Sequence, residues 1–201
     1  MKEIAEALFI SGAVHLATNS LAELQAPIYC DVRAALGSVA ARTLITNSLA
    51  DRIAVEFPGC GALVGVATGG VAFAAIAAQM LGLPCGYVRV REKDRGLGRF
   101  VEGNLKVGIS CVIIEDCMAL GNSAARAVIA ARDYGCIILG IISVVAFESC
   151  SAERTMGELG VKTLSLTCID ELVGVGLENG SITGLLAECI RKYAKGQERK
   201  Q

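Results

Sequence analysis

The sequence predicts an α/β protein with a mostly parallel sheet of about five strands, flanked by helices. Apolar runs of strand length alternate with segments whose apolar residues recur at helical spacing. The strand runs are continuously apolar, which is typical of parallel strands covered on both faces. With 201 residues, of which 53% are apolar, the chain fits one domain with a sizeable buried core.

Residues 59–88 contain no charged side chain, and this run is long enough to suggest a membrane span. Several glycines and Pro84 interrupt it, however, and its apolar period changes partway along. We therefore expect no membrane span, and predict a strand at 62–67, a helix at 71–81 and a strand at 85–91 instead.

The remaining segments continue the alternation of strands and helices. Helices are predicted at 33–55, 123–132, 152–159 and 182–193, and strands at 111–114, 137–147 and 162–166. In such sheets, ligands bind beyond the carboxyl ends of the strands. The segments that follow the strands are therefore the places to look for a site.

Composition excludes several kinds of partner. A net charge of −1 and a pI near 5.9 argue against a broad surface for nucleic acid or anionic membranes. The nine cysteines form no C-x-x-C pair, and with one histidine, His15, they predict no zinc site. Residues 1–10 are acidic and amphipathic, unlike a secretory leader. We expect reduced, buried thiols in a cytoplasmic protein.

The most informative segment is residues 110–128, SCVIIEDCMALGNSAARAV. An apolar strand leads into an acidic pair, Glu115 and Asp116, followed by a small-residue turn through Gly121 and an alanine-rich helix. Carboxylates there suit ribose hydroxyls or a magnesium-bound sugar, and free N–H groups at a helix start suit a phosphate. The alternative is an ordinary strand-to-helix connection whose acids cap the helix.

This segment resembles the 5-phosphoribosyl 1-diphosphate (PRPP) loop of type I phosphoribosyltransferases. The matching residues are Val112, Ile113, Ile114, Glu115, Asp116, Cys117, Met118 and Gly121. Ala119 and Asn122 depart from the family pattern, because they stand where it usually has phosphate-binding threonines. The resemblance implies that the acidic pair binds ribose and that the phosphate turn, Gly121, Asn122 and Ser123, binds the 5-phosphate.

Two other strand exits are expected beside the acidic pair. The glycine turn, residues 67–70, contains Thr68, Gly69 and Gly70, whose backbone N–H groups could face a diphosphate. The lid segment, residues 89–103, has five cations among glycines and could neutralise a leaving diphosphate. Taken singly, these are also compatible with a plain tight turn and a solvated loop.

The lid segment resembles a loop of orotate phosphoribosyltransferases that closes over the site of the neighbouring subunit, which implies a homodimer. The positions in common are Arg89, Lys93, Asp94, Gly96, Gly98, Glu102 and Gly103. Val90 replaces a usual lysine, and Arg95 a usual histidine. Arg95 can supply charge but cannot relay a proton near neutral pH.

Residues 26–33, APIYCDVR, resemble another segment of that family, Ser-Pro-x-Tyr-x-Asp-x-Arg. The chain has no lysine between Lys2 and Lys93 for a ligand contact that the family makes nearby, and Phe147 stands where an arginine usually pairs with orotate. The resemblance covers residues 4–193 and implies a single type I domain, 1–201. Its expected parts are an N-terminal hood and helix, 1–55, and a core with the PRPP loop, 56–195.

The resemblance implies formation of orotidine 5-phosphate and diphosphate from orotate and PRPP. Catalytic roles would fall to Lys93, Arg95 and Asp116. PRPP-binding residues would be Arg89, Lys93, Thr68, Gly69, Gly70, Glu115, Asp116, Gly121, Asn122 and Ser123. Tyr29 and Phe147 would contact the base. Mg²⁺ would be carried by PRPP, with Asp116 as the candidate protein contact.

Two alternatives stay open. The substitutions Val90, Arg95, Ala119 and Phe147 are compatible with a repurposed relative that binds PRPP or a nucleotide as a regulator. The second alternative is a phosphoribosyltransferase that accepts a base other than orotate. Losing a hydrogen bond to a charged group costs about 1.5–3 kcal/mol, so several lost contacts could abolish turnover. Neither alternative calls for nucleic acid or a membrane as partner.

Overall fold

Strands and helices alternate along the computed structural model, which describes residues 1–16, 26–89, 100–147 and 150–195, with backbone only for 150 and 151. The strands are β1 Val14–Leu16, β2 Ile28–Cys30, β3 Ala62–Val66, β4 Cys85–Val88, β5 Val101–Glu102, β6 Ser110–Met118, β7 Ile137–Ala146 and β8 Lys162–Cys168. The helices are α1 Lys2–Ile10, α2 Val39–Glu56, α3 Gly69–Leu81, α4 Asn122–Tyr134, α5 Cys150–Glu158, α6 Ile169–Glu178 and α7 Gly184–Ala194.

Within the part of the chain that the structure describes, the main sheet has six strands in the order β5-β4-β3-β6-β7-β8. Strands β4, β3, β6, β7 and β8 are all parallel, which confirms the predicted mostly parallel sheet. The sixth strand, β5, is a two-residue edge strand that pairs antiparallel with β4, Tyr87 opposite Glu102. It was not predicted, because two residues carry no periodic signal. Strands β1 and β2 form a separate antiparallel pair.

Buried side chains cover both faces of the sheet. One face packs against α1, α2, α3, α6 and α7, and its core joins Ile4 and Leu8 of α1 to Ile142 of β7. The other face packs against α4 and α5. The uncharged run of residues 59–88 forms β3, α3 and β4, which confirms the strand–helix–strand prediction. Within the described residues, every helix is too short or too polar to cross a bilayer.

Strand β6 is longer than its sequence predicts, and this corrects one expectation. The acidic pair was expected in a turn, but β6 continues to Met118. Pairing with β7 holds this extension, since Glu115 lies opposite Ser143 and Cys117 opposite Val145. The partner strand therefore overrides the weak strand propensity of acidic residues.

The largest differences from the predicted helices concern α2 and α6. The helix expected at 33–55 begins at Val39, because Ser38 caps it by accepting a hydrogen bond from the Ala41 N–H (3.3 Å), and a 3₁₀ helix, Val32–Gly37, precedes it. Helix α6 was not predicted. Gly174 and Gly176 interrupt its apolar pattern, and Gly176 is needed because a Cβ there would meet the Ile182 side chain.

Candidate functional site

The glycine turn and the acidic pair meet at the carboxyl ends of β3 and β6. A Cβ placed on Gly69 would overlap the carboxylate of Asp116, and one on Gly70 would overlap the carbonyl oxygen of Ile114. Thr68 lies at the surface immediately before these glycines. The structure therefore brings two of the three predicted strand exits together. The close packing of α3 on β6 also explains why residues 69 and 70 are glycines, which the sequence did not show.

The two acidic side chains lie in different environments. Asp116 is partly buried, whereas Glu115 is 4% exposed, and its Oε2 has no hydrogen-bond partner among the described residues. Burial, and then the negative charge of Asp116, raise the pKa of Glu115 to about 8. A ligand can therefore reach the carboxyl group of Asp116, whereas Glu115 is buried and mostly protonated at neutral pH.

Residues of the N-terminal segment face Asp116. Strand β2 leads to Asp31, whose Oδ1 accepts a hydrogen bond from Arg33 Nε at 2.6 Å. Burial raises the pKa of Asp116; backbone hydrogen bonds and the positive charge of Arg33 oppose this shift, while Asp31 adds to it. Of residues 26–33, only Tyr29 was predicted to contact a ligand. The spacing of Asp31 and Arg33 in this segment was the sequence feature that could have indicated their place near Asp116.

Tyr29 is 42% exposed and lies on the outward face of β2, opposite His15 of β1. The two rings are 6.1 Å apart between centroids, and the Tyr29 hydroxyl accepts a hydrogen bond from Arg33 Nη2 at 3.4 Å. His15 is thus a neighbour of the predicted base-contacting tyrosine. The position of Tyr29 is compatible with a stacking contact to a planar base.

Phe147, the second predicted base contact, lies in the core. Its side chain is 8% exposed and packs edge-on against Tyr193 of α7, with ring centroids 6.5 Å apart. The structure therefore gives Phe147 a packing role and does not bring its ring to an open surface with Tyr29. Its contact with a base stays a prediction.

The phosphate turn follows β6 and opens α4. Gly121 has φ +78°, and a Cβ on it would lie 3.1 Å from Ala152 Cα, so glycine suits both its conformation and its packing. Among the described residues, no side chain caps the start of α4, and Asn122 and Ser123 are exposed. Unpartnered N–H groups at a helix start favour an anion, which supports the predicted cradle.

The two ends of the lid segment are tied together. Arg89 Nη2 lies 2.7 Å from Glu102 Oε1, and the Arg89 N–H donates to the Phe100 carbonyl at 2.9 Å. Arg89 is thus already engaged in an ion pair at the end of β4, which was not foreseen. Lys93 and Arg95 lie outside the described residues.

The donor groups bear on how a divalent cation could bind. The described residues contain no cluster of three carboxylate, histidine or thiol ligands. Asp116 offers a carboxylate, but Glu115 is held neutral, and Mg²⁺ prefers several oxygen ligands including substrate phosphates. The residues fit a magnesium ion that arrives with ligand oxygens, and do not fit a protein cage.

Protonation of Glu115 predicts a pH dependence of stability. A carboxyl whose pKa rises from 4.5 to about 8 on folding binds more protons in the native state between these values. The free energy of unfolding should therefore fall as pH rises from 4.5 to 8, by at most about 1.4 kcal/mol per pH unit. Urea unfolding of ligand-free wild type and Glu115→Gln across this range measures it. If the free energies of unfolding of the two proteins differed by the same amount at every pH, the prediction would be wrong.

Comparison with known proteins decides the family. A family model described as phosphoribosyl transferase domain matches residues 40–179. An orotate phosphoribosyltransferase of Porphyromonas gingivalis is 39% identical over 174 residues, 87% of this chain and 83% of that protein. The chain belongs to the orotate phosphoribosyltransferase family. A relative of the same name from Listeria monocytogenes is 34% identical over 202 residues, 98% of this chain and 97% of its own length.

Solved structures agree with this membership. An orotate phosphoribosyltransferase from Aeropyrum pernix has a TM-score of 0.73 at 25% identity, covering 86% of this chain and 98% of that one. UMP synthase of Leishmania donovani has a TM-score of 0.81 over 98% of this chain and 42% of its own, at 22% identity, which supports the fold alone. The predicted type I phosphoribosyltransferase fold is confirmed.

Proposed function

We propose that this family member is an orotate phosphoribosyltransferase that forms orotidine 5-phosphate and diphosphate from orotate and PRPP. Asp116 carries the proposal, because its partly buried carboxylate lies where the glycine turn, β6 and the N-terminal segment meet. In the reaction, the bond from ribose C1 to diphosphate breaks and its electron pair leaves with diphosphate. A bond forms between C1 and a pyrimidine nitrogen, whose proton passes to the departing diphosphate.

Ribose and the 5-phosphate would be held at opposite ends of the segment from Glu115 to Ser123. Asp116 accepts hydrogen bonds from ribose hydroxyls, and the N–H groups of Asn122 and Ser123 hold the phosphate. Glu115 is buried, and its raised pKa keeps this carboxyl mostly neutral at pH 7, so that the charge at the strand end comes from Asp116. Two fixed ends orient C1 toward the base, which lowers the entropic cost of displacement.

Departure of diphosphate leaves positive charge on the ribose ring and negative charge on the leaving group. Thr68, Gly69 and Gly70 line the diphosphate side, and Lys93 and Arg95 supply positive charge from the lid segment. Arg89 supports the lid through its ion pair with Glu102. Mg²⁺ bound to PRPP would add charge neutralisation at these oxygens. Lys93 and Arg95 act on the neighbouring subunit, so the working unit is a homodimer.

The overall organisation follows from the same proposal. We propose one domain, in which the hood, residues 1–55, is integral to the core, residues 56–195. Shared packing supports this, since Ile4 and Leu8 belong to the same buried cluster as Ile142. The cysteines with described side chains form no disulfide with one another, which is compatible with the proposed cytoplasmic location.

A second candidate is a PRPP-binding regulator without turnover. The placement of Phe147 in the core favours it, because that position then offers no contact to a base. Arg95 stays protonated and cannot relay a proton near neutral pH, which also favours the regulator. The two candidates share the PRPP site and differ only in product formation.

Orotate consumption, followed by ultraviolet absorbance with PRPP and magnesium, tests the proposed function. Turnover in the wild type and its loss in Asp116→Asn would establish the transferase. PRPP binding without consumption of orotate would favour the regulator, and turnover with another pyrimidine or purine would favour a different acceptor.

PRPP with Mg²⁺ should also stabilise the folded protein. At 100 times the dissociation constant, a ligand adds about 2.7 kcal/mol, which for this size corresponds to roughly 5–10 °C in melting temperature. Differential scanning fluorimetry measures this shift. Magnesium alone serves as the control, and an unchanged melting temperature at millimolar PRPP would count against a PRPP site.

A further inference from the structure

The proposed substrate poses an electrostatic problem that the assigned residues do not solve. Orotate is a pyrimidine with a carboxylate, and a desolvated carboxylate needs a cation or several hydrogen-bond donors. Neither Tyr29 nor Phe147 carries a charge, and Lys93 and Arg95 are assigned to diphosphate. The base side of the site therefore needs a further cationic residue.

Arg33 is the described cation best placed for this task. It precedes the start of α2, beside Tyr29, and its charge acts on Asp116. Two other described arginines already have partners. Arg42 donates to the Leu36 carbonyl at 2.6 Å, and Arg89 pairs with Glu102.

The guanidinium of Arg33 is held in a fixed orientation. Its Nε donates to Asp31 Oδ1 at 2.6 Å and its Nη2 contacts the Tyr29 hydroxyl at 3.4 Å. Among the described residues, Nη1 makes no hydrogen bond, and the side chain is 48% exposed. One edge of the planar group is therefore anchored, while the other can receive a carboxylate from solvent.

We infer that Arg33 binds the carboxylate of the base, with Asp31 as its positioning residue and Tyr29 beside the pyrimidine ring. This inference rests on the proposed function and deepens it, because it assigns the selection of a carboxylated pyrimidine to one side chain. Arg33 contacts Tyr29, the proposed base contact, and its charge acts on Asp116, the proposed ribose contact. A pyrimidine attached to C1 of the ribose would then present its carboxylate to Nη1.

The test compares two nucleotides that differ in this carboxylate, orotidine 5-phosphate and uridine 5-phosphate. Calorimetric titration of Arg33→Gln should show orotidine 5-phosphate binding weakened at least about tenfold and uridine 5-phosphate binding unchanged. The KM for orotate should rise by a similar factor, with the KM for PRPP unchanged. Arg33→Lys keeps the positive charge but lacks the planar guanidinium. Its affinity for orotidine 5-phosphate should lie between those of Arg33→Gln and the wild type.

Arg52→Gln is the matched control, since Arg52 is an equally exposed arginine (43%) that pairs with Glu56 near the end of α2. It should bind both nucleotides as wild type does. If the wild type converts orotate, two outcomes would overturn the inference and leave the proposed function standing. Arg33→Gln would weaken the binding of both nucleotides equally, or it would weaken the binding of neither. A wild type that binds neither nucleotide and consumes no orotate would overturn the proposed function and the inference together.

Discussion

Asp116→Asn should lower turnover at least about a hundredfold while changing the melting temperature by only a few degrees. Its carboxylate would accept hydrogen bonds from two ribose hydroxyls, and each bond to a charged group contributes about 1.5–3 kcal/mol. Because burial already raises the pKa of Asp116, a neutral amide of similar shape costs the fold little. Initial rates at saturating PRPP and thermal unfolding measure the two effects.

Asp51→Asn is the control for this substitution, because Asp51 is an exposed acidic residue of α2 away from the site. It should retain wild-type rates. Unchanged turnover in Asp116→Asn would remove Asp116 from the ribose site. A large loss of stability in that variant would instead show that the carboxylate is needed for folding.

Gly69→Ala should mainly lower turnover, whereas Gly70→Ala should mainly lower the stability of the fold. The added Cβ of Gly69→Ala would meet the side chain of Asp116, which can rotate away, so turnover should fall sharply with little loss of stability. The Cβ of Gly70→Ala would meet the backbone of Ile114, which cannot move without disturbing β6. We expect it to cost about 1–3 kcal/mol, measured by urea unfolding.

Gly174→Ala provides the reference for both glycine variants. Gly174 lies in α6 with open space around its Cβ position, so alanine should leave turnover unchanged and add up to about 1 kcal/mol of stability. If Gly69→Ala kept full turnover, the close approach of the glycine turn to Asp116 would have no role in catalysis.

The order of strands and helices could be predicted because burial on both faces of a parallel sheet leaves continuous apolar runs. The run of residues 59–88 shows this clearly, since its glycines marked the boundaries of β3, α3 and β4. The extension of β6 to Met118 could not be predicted, because it depends on pairing with β7. Local propensity does not report a partner strand.

The candidate site was predictable in part for similar reasons. Asp116, Gly69 and Gly70 follow strands that are neighbours in the sheet, so their meeting follows from topology. The greater burial of Glu115, which raises its pKa to about 8, was not predictable, because burial of one side chain is a tertiary property. The core position of Phe147 depends equally on α7, which lies far along the chain.

The residues that flank 90–99 are held together by the ion pair between Arg89 and Glu102 and by the pairing of β4 with β5. Closing a chain segment costs free energy that grows only with the logarithm of its length. Changes in the composition or length of these ten residues should therefore hardly affect the folding of the sheet. Substitutions at Val90, Lys93 and Arg95 should therefore be possible without loss of the core, and residues 90–99 are the natural segment to exchange between relatives.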